Sequence, residues 1–241
     1  FIQAASMNAA DKSGLLLHSL RAEARVTPGS IEIMHAMATL NQTSIDGDVL
    51  LIKRDSATYG FMQVQLRKLK GLVGDLVLLL PPPENETLSK LSDLPYEASG
   101  YLKGWMENLQ TENMRLQAGS GTIANFSGSL QQLTDPSKLG MHLKINRLET
   151  NRADLVRFMA VGDTPMDSLL ATPLPAYLNA AGTLNGSLSQ LQLSLQGQAG
   201  ALQTGKAFLP DTGPPLQFDF AGTLTDANDP DKLGMDILIQ K

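Results

Sequence analysis

One block of this sequence is written twice, and that constrains the fold more than any other feature of the chain. Phe126-Ser-Gly128-Ser-Leu130, followed by Asp135-Pro136-Ser-Lys138-Leu139-Gly140-Met141 and ending at Ile145, returns without a gap. The second copy reads Phe220-Ala-Gly222-Thr-Leu224, then Asp229-Pro230-Asp-Lys232-Leu233-Gly234-Met235 and Ile239. A second block precedes each copy. Leu94-Pro95 leads to Gly100-Tyr-Leu102-Lys-Gly104-Trp-Met106, Leu109, Met114 and Leu116; Leu174-Pro175 leads to Gly182-Thr-Leu184-Asn-Gly186-Ser-Leu188, Leu191, Leu193 and Leu195. Self-similarity on this scale means stacked copies of one supersecondary unit, each unable to bury its apolar face alone. The chain therefore divides into an N-terminal β-meander segment over 1–93, a first repeat unit with a short helix over 94–173 and a second unit over 174–241, all in one continuous sheet. We expect it to be a fragment of a longer protein.

Inside the units the period is two. Leu184, Gly186 and Leu188 share one parity and Leu191, Leu193 and Leu195 the other, so the phase flips where a turn joins two strands that keep one apolar face. Leu216, Phe218, Phe220, Gly222 and Leu224 alternate likewise, as do Met235, Ile237 and Ile239. The N-terminal segment repeats the theme with Ala22, Ala24 and Val26, a turn at Pro28-Gly29, then Ile31 and Ile33, a strand from about Ile45 to Lys53, and Met62, Val64 and Leu66. Helix signals are few. Asn151 is placed to cap a helix from Arg152 to about Ala160, with Asp154 in its first turn. Glu86–Ser92 and Pro165–Leu170 read as shorter turns of helix, and the extra residues around Pro210–Pro215 as a surface loop. The expected fold is mainly β: an elongated, curled antiparallel sheet, repeat-built, with a few short helices at the seams.

Composition narrows the function. Of 241 residues only 18% are charged, below the roughly 25% usual for soluble domains, and the net charge is -5. A nucleic-acid binder needs clustered Lys and Arg, so that class is excluded. The longest apolar run, Leu76–Leu80, stops at Pro81-Pro82-Pro83, far short of a membrane span. Cysteine is absent, which removes disulfides, thiolate catalysis and cysteine-bound metals together. His18, His35 and His142 lie far apart, each in an expected strand, and none has a partner at metal-ligand or triad spacing. Asp226-x-Asn228-Asp229-x-Asp231 has Pro230 in a ligand position and lacks the glycine of a calcium loop, so it reads as a turn. Gly119-Ser-Gly121 and the glycines at Gly182 and Gly186 lack a phosphate-loop context and read as relief where strands bend. Arg67-Lys-Leu-Lys70 reads as a solvated strand end. There is no Gly-x-Ser-x-Gly and no cluster of histidine with acids. We expect no enzyme, no metal and no cofactor.

The remaining question is what covers the apolar stripe. Each inward Leu, Ile, Met or Phe forfeits about 1.5–3 kcal/mol if left in water. The few short helices cannot cover so long a sheet, so the stripe must meet a second sheet or a hydrocarbon chain. The ten methionines suit an adaptable apolar wall and a closed core nearly equally.

Three features carry a resemblance to a known family: the Gly-x-Leu-x-Gly-x-Leu-x-x-Leu strand pair at Gly182–Leu191 after Leu174-Pro175-Ala-Tyr177, the Ile123-Ala-Asn-Phe126-Ser-Gly128-Ser-Leu130 strand followed by Thr134-Asp-Pro136, and Leu148-Glu-Thr-Asn151-Arg-Ala-Asp154-Leu-Val-Arg-Phe158-Met159. In these the chain resembles the AsmA-like superfamily, in particular its TamB-type translocation and assembly module proteins. The resemblance implies a periplasmic location, with an inner-membrane anchor in a segment outside this fragment. It also implies phospholipid transport between membranes or support of outer-membrane assembly, with phospholipid acyl chains and an outer-membrane assembly barrel as partners. The groove would be lined by Leu102, Met106, Leu116, Phe126, Leu130, Met141, Leu184, Leu188, Leu191, Leu193, Leu195, Phe218, Phe220 and Ile237. The competing expectation is a structural or adhesive β-sandwich repeat domain, in which two sheets bury each other and the polar face binds a protein.

Overall fold

The computed structural model describes residues 2–5, 9–10, 16–54, 59–78, 89–132, 139–160, 174–187, 190–200, 202–203, 215–225 and 233–240. Sixteen strands run in chain order: β1 (Ile2–Ala5), β2 (Ala9–Ala10), β3 (Leu16–Val26), β4 (Ser30–Leu40), β5 (Thr43–Lys53), β6 (Tyr59–Leu72), β7 (Pro95–Trp105), β8 (Asn108–Ala118), β9 (Thr122–Gln131), β10 (Gly140–Asn151), β11 (Leu174–Pro175), β12 (Tyr177–Ser187), β13 (Gln190–Ala199), β14 (Leu202–Gln203), β15 (Leu216–Thr225) and β16 (Leu233–Gln240). Among the described residues two helices interrupt them, α1 (Val73–Val77) after β6 and α2 (Arg152–Met159) after β10. Fourteen strands form one antiparallel sheet in almost unbroken chain order from β1 to β16, with β2 beside β3; β11 and β14 pair separately. The sheet is curled and does not close into a barrel. Residues 86–88, the 165–170 segment, the 210–214 loop and the Asp226–Asp231 turn lie outside the described residues.

The ladder explains why alternation was the dominant sequence signal. Directly opposed residues of an antiparallel pair share a face. Val26 opposes Ile31, Ile31 opposes Leu51, Leu51 opposes Met62, and the row continues through Gly104, Leu109, Leu130, Met141, Gly186 and Leu191. A parallel row runs Ala24, Ile33, Val49, Val64, Leu102, Thr111, Gly128, Leu143, Leu184 and Leu193. From β3 to β15 one face is dominated by apolar residues and the other carries Lys, Arg, Asp, Glu, Ser and Gln.

Each of the eight ladders from β3–β4 to β10–β12 has a register shift near mid-strand, and these mid-strand shifts line up across the sheet, with further shifts at Leu17/Ser19 and Ile52/Lys53. A bulge bends its strand and increases local twist, so the row forms a crease across the sheet. His35 and Asn113 sit in it with positive φ. On the polar side the Asp48 carboxylate accepts the His35 amide at 2.6 Å and pairs with Arg67, which also reaches Asp46 at 2.8 Å. The Arg67 guanidinium holds the Asp48 carboxyl below its ordinary range. The basic run at 67–70 is thus a set of paired surface cations, with Lys68 and Lys70 reaching Glu97. Beyond β12 the ladders run without a shift. There a glycine such as Gly186 (φ +122) lets the strand coil; a side chain in its place would overlap the Gln190 carbonyl.

The two copies of the repeat share strand order, β7–β8–β9–β10 against β12–β13–β15–β16. Gly104 opposite Leu109 matches Gly186 opposite Leu191, and Leu102 opposite Thr111 matches Leu184 opposite Leu193. The bulge between Thr111 and Met114 then moves Met114 to the place of Leu195, not of Leu193. The last hairpin differs as well: Leu130 opposes Met141, whereas Leu224 opposes Leu233 in place of Met235, a slip of two residues that preserves parity.

Candidate functional site

Eleven of the fourteen residues named above lie in strands with described side chains, and the ladder brings them to one face. Leu130 opposes Met141 and Leu109; Phe126 opposes Ile145 and Met114; Leu184 opposes Leu193; Leu195 opposes Phe220; Phe218 opposes Gly197. Leu102, Leu116 and Leu191 share that face through Val64, Ala98 and Gly186. Met106 is not on a strand. It sits in the β7–β8 turn, its amide donating to the Gly60 carbonyl at 2.8 Å, because the strand ends at Trp105. Leu188 lies outside the described residues, and Ile237 is placed only by backbone register, opposite Phe220.

The expected lining omitted residues that complete the face: Leu109 and Ile145, read in the repeat, Ile33, Val64 and Leu66, read in the alternation, and Leu143, Leu148, Ile45, Val49 and Leu69. The same period of two reaches Leu143 and Val49 as well. Most of these side chains are half-buried, and Leu109 alone is a large side chain with 0% exposure. Leu116 keeps 37% of its surface exposed. Among the described residues no second sheet lies over this face, since the small pair β11–β14 holds only four residues.

The two long edges of the face are built differently. Along one, consecutive strands are joined by hairpins such as Val26-Thr27-Pro28-Gly29-Ser30 and Trp105-Met106-Glu107-Asn108; this is the hairpin rim. Along the other stand α1 and α2, the helix rim. There Asp154, 3% exposed, accepts the Ser120 amide at 2.9 Å, the Gly121 amide at 2.8 Å, the Ser120 hydroxyl at 3.0 Å and the Thr122 hydroxyl at 2.9 Å. Burial pushes this carboxyl up, but the amides of Ser120 and Gly121 and the two hydroxyls outweigh it and hold it below its ordinary range. Gly119 and Gly121 make room for this arrangement, since a side chain at either would overlap Asp154 or Asn151. They serve a carboxylate cradle rather than the strand bending expected from sequence. Asn151 caps α2 as expected, its side-chain oxygen accepting the Asp154 amide at 2.9 Å.

Helix α1 is a second version of the same device. Asp75 accepts the Gln42 amide at 2.9 Å and the Thr43 hydroxyl at 2.8 Å. Threonine and aspartate are 32 residues apart in both cases, and Gly74-Asp75-Leu76-Val77 matches Ala153-Asp154-Leu155-Val156. The N-terminal segment is therefore a further copy of the four-strand-plus-helix unit.

His18 and His35 lie on β3 and β4, and His142 on β10 bonds Asn185 at 3.3 Å. Among the described residues no cluster of His, Asp or Glu could hold a metal, and no helix is long and apolar enough to cross a membrane. Fold and face together define an open, repeat-built β-trough with a one-sided apolar lining. Comparison with family profiles, curated proteins and solved structures returned no match to this chain.

Proposed function

We propose that this chain is a periplasmic segment of an AsmA/TamB-like envelope protein, and that its apolar face is a groove for phospholipid acyl chains moving between membranes in support of outer-membrane assembly. One observation carries the reading: a contiguous apolar face crosses at least ten successive strands, and no layer covers it among the described residues. Apolar patches larger than a few hundred Å² mark binding surfaces on soluble proteins. Hydrocarbon asks only for apolar contact, which matches a wall of Leu, Ile, Val, Met and Phe. The reaction class is carriage rather than chemistry. In the full-length protein the partner would be an outer-membrane assembly barrel.

Native mass spectrometry and lipid extraction of the purified chain test the proposal; co-purifying phospholipid is the expected result. Leu193→Arg places a charge mid-face, where an unpaired cation against hydrocarbon costs several kcal/mol. Bound lipid should be lost while the thermal unfolding temperature is largely kept. Loss of folding in the variant, with no lipid in the parent, returns the chain to a structural role.

A further inference from the structure

We infer that an amphiphile held by this face lies with its polar end at the hairpin rim and its hydrocarbon toward the helix rim; the inference rests on the lipid-groove reading above. Among the described residues, the threonines that border the face at the helix rim are already consumed. Thr43 is bound to Asp75, Thr150 shares a 2.7 Å hydrogen bond with Thr122, and Thr122 is bound to Asp154; Leu94 and Tyr96 are buried beside them. A phosphate there would have to break these bonds and approach two buried carboxylates, and like charges repel most where water is scarce. Arg157 on α2 is taken by Asp93. At the described hairpins of the other rim the apolar row continues to the last residue pairs, with Val26 63% exposed, and Thr27, Pro28, Gly29 and Glu107 beyond it are open to water. The ion pair at that rim, Arg54 with Glu107, is about half exposed on both sides, so a headgroup placed there meets water and solvated charges where the helix rim offers buried carboxylates.

The chain has no cysteine, so single cysteines can be labelled without background. Pro28→Cys and Asn108→Cys report on the hairpin rim, and Gln42→Cys and Ala153→Cys on the helix rim; all four positions are exposed. Each carries a bimane fluorophore and is titrated with phosphatidylcholine bearing a nitroxide quencher on the headgroup or, separately, on the end of the acyl chain. The expected result is loss of fluorescence at 28 and 108 with the headgroup quencher and retained fluorescence at 42 and 153. Equal quenching at both rims, or stronger quenching at 42 and 153, overturns the assignment while leaving the groove intact. No quenching by either probe, together with no lipid in the extract, overturns the groove reading itself.

Discussion

Helices α1 and α2 hang from the same edge of the sheet by the same kind of hook, yet the two are fastened unequally. Asp154 gathers four donors from one turn, and its helix of eight residues is capped by Asn151. Asp75 gathers two donors, and its helix of five residues follows Leu72, whose side chain caps nothing. A helix that short gains little from its own hydrogen bonds, because nucleation is costly. The difference teaches that the carboxylate, not helix propensity, fixes these segments to the rim. The hook also explains why α1 exists: Gln42 and Thr43 supply the donors that make the turn after Leu72 worthwhile.

Removing the stronger hook is the sharpest way to break this comparison. Asp154→Ala leaves two amides and two hydroxyls without an acceptor and should cost about 3–5 kcal/mol in denaturant unfolding, given 1–3 kcal/mol for a stranded buried donor. Hydrogen exchange at Ser120–Thr122 should rise with it. Asp75→Ala strands half as many groups and should cost about 1–3 kcal/mol; a loss equal to that of Asp154→Ala would mean the donor count is irrelevant. Asn151→Ala removes only the cap and should cost about 1 kcal/mol, with no counterpart effect at Leu72. The smallest effect is that of mild acid. The folded Asp154 carboxyl is held below its ordinary range, so its contribution is fully present above the unfolded value of about 3.9 and disappears only as the pH falls through the folded value. Stability should therefore stay flat from pH 7 to about 5 in its Asp154-dependent part, read as the difference between parent and Asp154→Asn. A rise of that difference as the pH falls from 7 to 5 would show that burial outweighs the donors and overturn the assignment.

Strands, their alternation and the common face were legible because a period of two needs no tertiary information. Asn151 and its helix were legible because the cap is a local contact. Helix α1 was not: Leu76–Leu80 reads as an apolar run, and only an aspartate reaching back 32 residues to Thr43 turns its start into a helix. The roles of Gly119 and Gly121 were hidden for the same reason, since the group they accommodate is distant in sequence. The bulges at His35 and Asn113 leave no mark that composition could reveal, and the Thr111–Met114 bulge is what displaced the expected match of Met114 with Leu193.

Because strands follow one another along the sheet in almost unbroken chain order, each touches only its immediate neighbours. Such an array is quasi-one-dimensional. Neighbouring strands lie about 4.8 Å apart, so a four-strand unit advances the trough by roughly 19 Å, while its cross-section is set by strand length and by the crease. Reach and bore are therefore encoded separately. A gene that duplicates or drops one unit changes how far the trough extends and leaves its calibre as it was.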